Sequence, residues 1–250
     1  MATSELDTPV DPEAGTYWER TDHEGVAVLT FTRPPTNMMS IAAMTELEPI
    51  LETIAGERGV RVVMLTGGVD GYFVAHADLD DVIKVASGQP VAGDPAAWRR
   101  CQRLLETMPQ PTVAAIDGQA WAGGCEITLA CTMRVGSERA SLGQIEVTVG
   151  ILPIGGGTQR LPRIVGSGIG AELCLTGRTV DAHEAHRIGL LNAVLPTEGF
   201  LDAAVEWCKE IARHRARAVF GVKQAVVGGL ELPLEDGLDL EAKVFRNLNS

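Results

Sequence analysis

Three stretches of this sequence combine glycines, acidic groups and apolar residues in ways that could carry chemistry. They are Tyr72-Phe73-Val74-Ala75-His76-Ala77-Asp78-Leu79, then Asp117-Gly118-Gln119-Ala120-Trp121-Ala122-Gly123-Gly124-Cys125-Glu126, and then Gly143-Gln144-Ile145-Glu146 with the glycine-rich run Leu152 to Leu161 behind it. Gly123-Gly124 falls where a strand turns into a helix. Two residues without Cβ atoms serve such a turn by themselves. The start of a helix also presents unpaired N–H groups and a positive dipole end, which stabilise negative charge on a carbonyl oxygen aimed at them. Glu126 follows among Cys125, Ile127 and Leu129, a setting unlike the solvated face usual for glutamate.

These segments need a folded scaffold, and the chain can supply one. It has 250 residues, 45% of them hydrophobic and 22% charged, enough for one large core. No run approaches the roughly 18 apolar residues of a membrane span. The N-terminus lacks the basic and apolar regions of a secretory signal, so a cytoplasmic enzyme without membrane contact is expected. A formal charge of −12 repels polyanions and argues against nucleic acid, while leaving room for a small anionic ligand in a locally positive pocket. The five cysteines, at 101, 125, 131, 174 and 208, show no CxxC spacing and read as reduced packing residues. His183 and His186 lie one helical turn apart but have no evident third ligand, so no metal site is expected. Gly155-Gly156-Gly157 has neither the GxGxxG spacing nor a Walker lysine, which excludes a nucleotide loop.

The hydrophobic pattern predicts an α/β fold. Val26 to Phe31, Val60 to Thr66 and Thr112 to Ile116 read as strands. Ile41, Met44, Leu47, Leu51 and Ile54 recur at helical spacing, and a second helix is expected to hold Ile127, Leu129, Ala130 and Met133. Strands alternating with helices imply parallel pairing through right-handed crossovers. Residues 1–15, acidic and proline-bearing, are expected to form a disordered tail. A core over 16–165 is then followed by a region over 166–250 in which only helical periodicity is found.

Between about Val26 and Asn247 the sequence resembles the crotonase, or enoyl-CoA hydratase/isomerase, superfamily. The Ala-x-Ala-Asp, Gly-Gly-Cys-Glu and Gly-Gly-Thr-Gln-Arg-Leu segments occur in that family's order and approximate spacing. The resemblance implies a spiral of ββα units with a helical C-terminal part that covers the pocket and joins subunits into trimers or hexamers. It implies an acyl-CoA thioester as substrate, with coenzyme A entering as part of that substrate and no permanently bound cofactor. It places an oxyanion hole at the N–H groups of Ala77 and Gly123, and the catalytic pair at Glu126 and Glu146. Glu146 is given the main proton transfer and Glu126 positions the water and serves as partner base. Substrate contacts are implied for Ala75, His76, Asp78, Leu79 and Ile154.

Retention of both glutamates points to hydration of a 2-enoyl-CoA. Isomerisation and a catalytically silent acyl-CoA-binding subunit stay open as alternatives. Three residues depart from the family pattern: His76 and Ile154 stand where glycine is usual, and Thr132 stands where aspartate is common. Relatives also generally continue beyond the position of Ser250 for a further helix that helps cover the acyl pocket, so either the sequence stops short of that helix or the site closes differently.

Overall fold

A computed structural model describes residue 11 and residues 16–248 of the chain. The expected tail over residues 1–15 lies outside the described residues except for Asp11, whose carboxylate meets Arg33 Nε at 2.7 Å.

Two sheets organise the molecule. The larger contains β1 (Trp18–His23), β2 (Val26–Phe31), β3 (Val62–Gly67), β5 (Thr112–Ile116), β7 (Met133–Ser137) and β10 (Ala193–Leu195), in that spatial order. The smaller runs β4 (Tyr72–Val74), β6 (Gln119–Trp121), β8 (Ser141–Gly143), β9 (Thr179–Asp181). The first half of the chain contributes helices α1 (Ile41–Ala55), α2 (Leu79–Ala86), α3 (Ala96–Thr107) and α4 (Gly123–Ala130). A 3-10 turn at Glu146–Val149 precedes α5 (Gly157–Val165), α6 (Ser167–Thr176) and α7 (Ala182–Arg187). The chain closes with α8 (Phe200–Ala212), α9 (Ala216–Gly229) and α10 (Leu234–Leu248).

The three strands expected from the sequence form the middle of the large sheet, and they pair in parallel as β2-β3-β5. Their apolar runs are nearly continuous because both faces are covered. One face, with Leu29, Phe31, Leu65 and Ile116, packs with Leu47 and Leu51 of α1 and Leu105 of α3. The other, with Val28, Val62, Met64 and Val113, is sealed by Phe200, Ala204 and Cys208 of α8.

The structure departs from the sequence pattern in three places. Met133 opens β7 and does not belong to the helix, which ends at Ala130. β1 pairs antiparallel with β2, as a hairpin at the sheet edge. β9 and β10 lie in the region where only helices are expected, and β10 pairs with β7 while β9 pairs with β8. Strands of three residues carry no measurable periodicity, and they become strands only because a sheet edge offers them partners.

One buried side chain joins the two sheets next to the chemical segments. Asn37 sits at φ 55, in the left-handed region that asparagine tolerates. Its Nδ2 donates to the Phe31 carbonyl at 3.1 Å and to the Phe73 carbonyl at 2.6 Å, and its Oδ1 accepts from the Arg33 N–H at 2.8 Å. Its own carbonyl accepts from the Ala75 N–H at 3.2 Å. The end of β2 is thereby tied to β4 and to the segment leading toward Ala77. Asn37→Ala takes one donor each from the buried Phe31 and Phe73 carbonyls and the acceptor from the Arg33 N–H, and urea denaturation is expected to show a loss of about 2–3 kcal/mol. A loss below about 0.5 kcal/mol would contradict the fastening role given to this residue.

Candidate active site

After β4 the chain runs extended past Met39. The Met39 N–H donates to the His76 carbonyl at 2.9 Å, and the Asp78 N–H donates to the Met39 carbonyl at 2.8 Å. This short parallel bridge uses the groups on either side of Ala77 and leaves the Ala77 N–H with no acceptor among the described residues. The Asp78 carboxylate caps α2 through the Asp80 N–H and pairs with Arg33 at 2.7 Å, fixing where the segment ends.

Gly123 is the first residue of α4, and its N–H likewise has no acceptor among the described residues. Ala122 before it is held at φ 47 and ψ −125, a strained backbone for a residue with a side chain. Its N–H donates to the Gly143 carbonyl at 2.8 Å and its carbonyl accepts from the Glu126 N–H at 2.9 Å, which keep it there. A Cβ added to Gly123 would lie 2.9 Å from the Ala77 Cβ and 3.2 Å from the Ala77 nitrogen. The two free amides are therefore close neighbours, and only glycine fits between them. Both border one cavity of about 830 Å³.

Glu126 and Glu146 line the same cavity and are 4% and 6% exposed. Glu126 reaches across to α5, where its Oε1 accepts from the Gly157 N–H at 2.8 Å. A Cβ on Gly155 would run into the Glu126 carboxylate, so this glycine makes room for it. Burial raises the Glu126 pKa, opposed by the Gly157 and Gly155 N–H groups and by the charge of Arg160. Glu146 opens the 3-10 turn, and its Oε2 is buried with no partner among the described residues. Burial pushes its pKa up to about 7; its own N–H opposes the rise and the charge of Glu126 adds to it. The carboxyls thus differ in kind: one is held by donors, while the other favours a proton near neutrality.

The other residues expected from the sequence have separate fates. His76 borders the cavity and turns its Nδ1 onto the Ala77 carbonyl, 2.8 Å away, so the ring packs against the backbone of the segment. Leu79 borders the cavity, as does Ile154, which is 82% exposed. Asp78 also borders it, though its carboxylate is occupied by Arg33 and the α2 cap. Ala75 is a correction: it is 1% exposed, it contributes nothing to the cavity wall, and its carbonyl accepts from the Trp121 N–H at 3.0 Å. Its N–H donates to the Asn37 carbonyl at 3.2 Å, so the backbone is held on both sides in the interior. Thr132 exchanges hydrogen bonds with Thr112, its Oγ1 accepting from the Thr112 N–H at 3.1 Å.

Among the cavity residues that sequence reasoning missed, two stand beside the chemistry. The indole of Trp98, on α3, stands 3.0 Å from the position a Cβ would take on Gly123 and equally close to that on Gly155, so it spans the free amide and the Glu126 carboxylate. Arg160 donates to the Gly155 carbonyl at 2.9 Å and to Glu106 at 2.6 Å, bracing the loop that carries the Glu126 contact. Arg160 lies within the glycine-rich motif and was within reach of sequence reasoning; Trp98 had no local signal.

Such a site belongs to the class that can stabilise negative charge on a carbonyl oxygen while moving a proton at a nearby atom. Residues 21–250 match the enoyl-CoA hydratase/isomerase family. The short-chain-enoyl-CoA hydratase of Clostridium acetobutylicum is 34% identical over 223 residues, spanning 88% of this chain and 84% of that protein. The 2,3-dehydroadipyl-CoA hydratase of Escherichia coli is 33% identical over 222 residues, 88% of this chain and 85% of its own. The crystal structure of an enoyl-CoA hydratase from Bacillus anthracis superposes with a TM-score of 0.86 at 35% identity, covering 92% of this chain and 90% of that one. The chain belongs to the enoyl-CoA hydratase/isomerase family, with the crotonase fold and an acyl-CoA function of that type. Relatives of nearly equal identity are named for different acyl groups, so membership leaves the acyl group open.

Raising the Glu146 pKa has a consequence for stability. The folded state holds this proton more tightly than the unfolded chain, so stability falls as pH rises from 4.5 to about 7 and stays reduced above that. Glu146→Gln removes the buried charge. Thermal denaturation is expected to find the variant equal to the parent near pH 4.5 but about 2 kcal/mol more stable at pH 8. A variant less stable than the parent at pH 8 would contradict the burial cost.

Proposed function

We propose that this chain adds water to a 2-enoyl-CoA to give a 3-hydroxyacyl-CoA. One observation carries the reading: two buried carboxyls in unequal environments share a cavity with two neighbouring amides that have no acceptor among the described residues. In the proposed reaction the thioester oxygen lies against the Ala77 and Gly123 N–H groups, and a water sits between Glu126 and Glu146. Glu126, whose Oε1 is held by the Gly157 N–H, acts in its carboxylate form and takes a proton from the water as its oxygen bonds to the β-carbon. Electron density moves onto the thioester oxygen, where the two amides stabilise it. Glu146, protonated near neutral pH, delivers its proton to the α-carbon. Proton return from Glu126 to Glu146 resets the site, and the net change is one added water.

Isomerisation would leave one of the carboxyls without a task, which favours hydration. Coenzyme A enters as part of the substrate, and the reaction requires no further cofactor. Exposed Leu230, Leu234 and Leu238 near the α9–α10 turn support the trimeric or hexameric assembly expected of the family. No described helix is long and apolar enough to cross a membrane, in keeping with an enzyme of the cytoplasm.

The test is loss of the conjugated thioester absorbance of crotonyl-CoA. Glu126→Gln and Glu146→Gln are each expected to lower kcat/KM by about 10³-fold. Gly123→Ala, which fills the space between the amides, should lower it by about 10²-fold or more. Tight binding of crotonyl-CoA with no absorbance change would replace hydration by the silent-binder reading.

The pH profile makes a further demand. Because Glu146 acts in its protonated form, kcat/KM should decline as pH rises past about 7. A profile that climbs through that region would reverse the roles assigned to the two glutamates.

A further inference from the structure

The cavity has two chemically different walls. On one side α2 presents the apolar Leu79, Val82 and Val85, with Asp81 of the same helix accepting from the Ile41 N–H at 2.9 Å. On the other, the helical stripe of α3 that begins at Trp98 continues through Arg99, Gln102 and Arg103, and α5 adds Arg163. Trp98 marks the chemical centre, since it touches the positions above Gly123 and Gly155. Gln102 and Arg103 lie about 6–8 Å farther along the helix axis from Trp98.

This second wall holds more donors than acceptors. Glu106 is already shared by Arg160, at 2.6 Å, and Arg103, at 3.7 Å. Arg163 donates only within its own helix, to Gln159, and Arg99 has no hydrogen bond or ion pair among the described residues. Glu231, also on the cavity, pairs with neither. Gln102 is the independent sign: the residue is 2% exposed, its Oε1 faces Arg160 at 3.5 Å, and its Nε2 is buried without an acceptor. A buried amide donor left unpaired is costly unless something else supplies the acceptor. In a chain of net charge −12, two guanidiniums on the cavity without carboxylate partners make this wall locally positive.

We propose that the acyl group of the substrate ends in a carboxylate, so that the natural thioester is that of a short unsaturated diacid. Its methylenes lie against the α2 wall, and its carboxylate meets Arg99 and Arg163 with Gln102 Nε2 as a neutral donor. This rests on the acyl-CoA reading above and narrows its substrate class. Planar guanidiniums suit a carboxylate in two-point contact, and an uncharged chain would leave all three donors unmatched.

The test separates recognition of the carboxylate from catalysis. Binding of two saturated thioesters, adipyl-CoA and hexanoyl-CoA, is measured by titration calorimetry on the full chain and on Arg99→Gln/Arg163→Gln. Both side chains are exposed, so the substitutions leave the core intact. The parent is expected to prefer adipyl-CoA by about tenfold or more, and the double variant to bring the ratio near one. Gln102→Leu should reduce the ratio in the same direction. Equal affinity of the parent for both thioesters overturns the proposal. So does an equal weakening of both in the variant, which would assign the arginines to the phosphates of coenzyme A. Absence of crotonyl-CoA hydration would defeat the hydratase reading and leave this binding ratio as a separate result.

Discussion

Desolvation of two carboxyl groups beside two unsatisfied amides is the constraint on which the rest of the structure turns. A buried carboxyl is expensive to ionise, and a buried N–H without an acceptor is expensive to keep. The fold holds both kinds of group at one cavity. Gly155 gives up its side chain so that Glu126 can reach the Gly157 N–H, and Gly123 gives up its own so that two amides can be neighbours. Ala122 accepts a strained backbone so that α4 begins at the required point. Each departure from the locally preferred state sits within a few residues of the cavity, as expected where local stability yields to function.

What holds these departures in place is the large sheet. β2, β3 and β5 bury both faces, between α1 and α3 on one side and α8 on the other. That rigid layer anchors Asn37, and Asn37 in turn anchors the segment that carries the Ala77 amide. The smaller sheet, with strands as short as three residues, presents the chemistry at its ends: β4 leads to Ala77, β6 to Gly123 and β8 to Glu146. Precision at the cavity thus comes from a core that has no part in the chemistry.

Much of this was legible in the sequence. The long apolar runs gave β2, β3 and β5, and helical spacing gave α1 over its whole apolar stripe. Gly123 was legible as a helix start with a free amide, and Glu126 as a carboxyl among apolar neighbours. The motif order marked Glu146, and both glutamates do face the cavity. Other readings failed for lack of local information. Ala75 shares a motif with Ala77 yet is buried, because its N–H and carbonyl are tied to Asn37 and Trp121, residues far away in the chain. Met133 continued an apolar pattern beyond the point at which α4 stops. β9 and β10 were invisible because three residues form a strand only when an edge is waiting.

The sequence by itself determined which segments are extended, which are helical and which residues have the chemistry to matter, since these depend on backbone preferences and periodicity along contiguous residues. Only the tertiary structure decided that Trp98 stands against Gly123, that Glu126 is held by an N–H 31 positions away, and that Glu146 Oε2 has no partner among the described residues. Proximity and loss of water arise between residues far apart in the chain, and so the raised pKa values of both glutamates and their different surroundings exist only once the fold has closed around them.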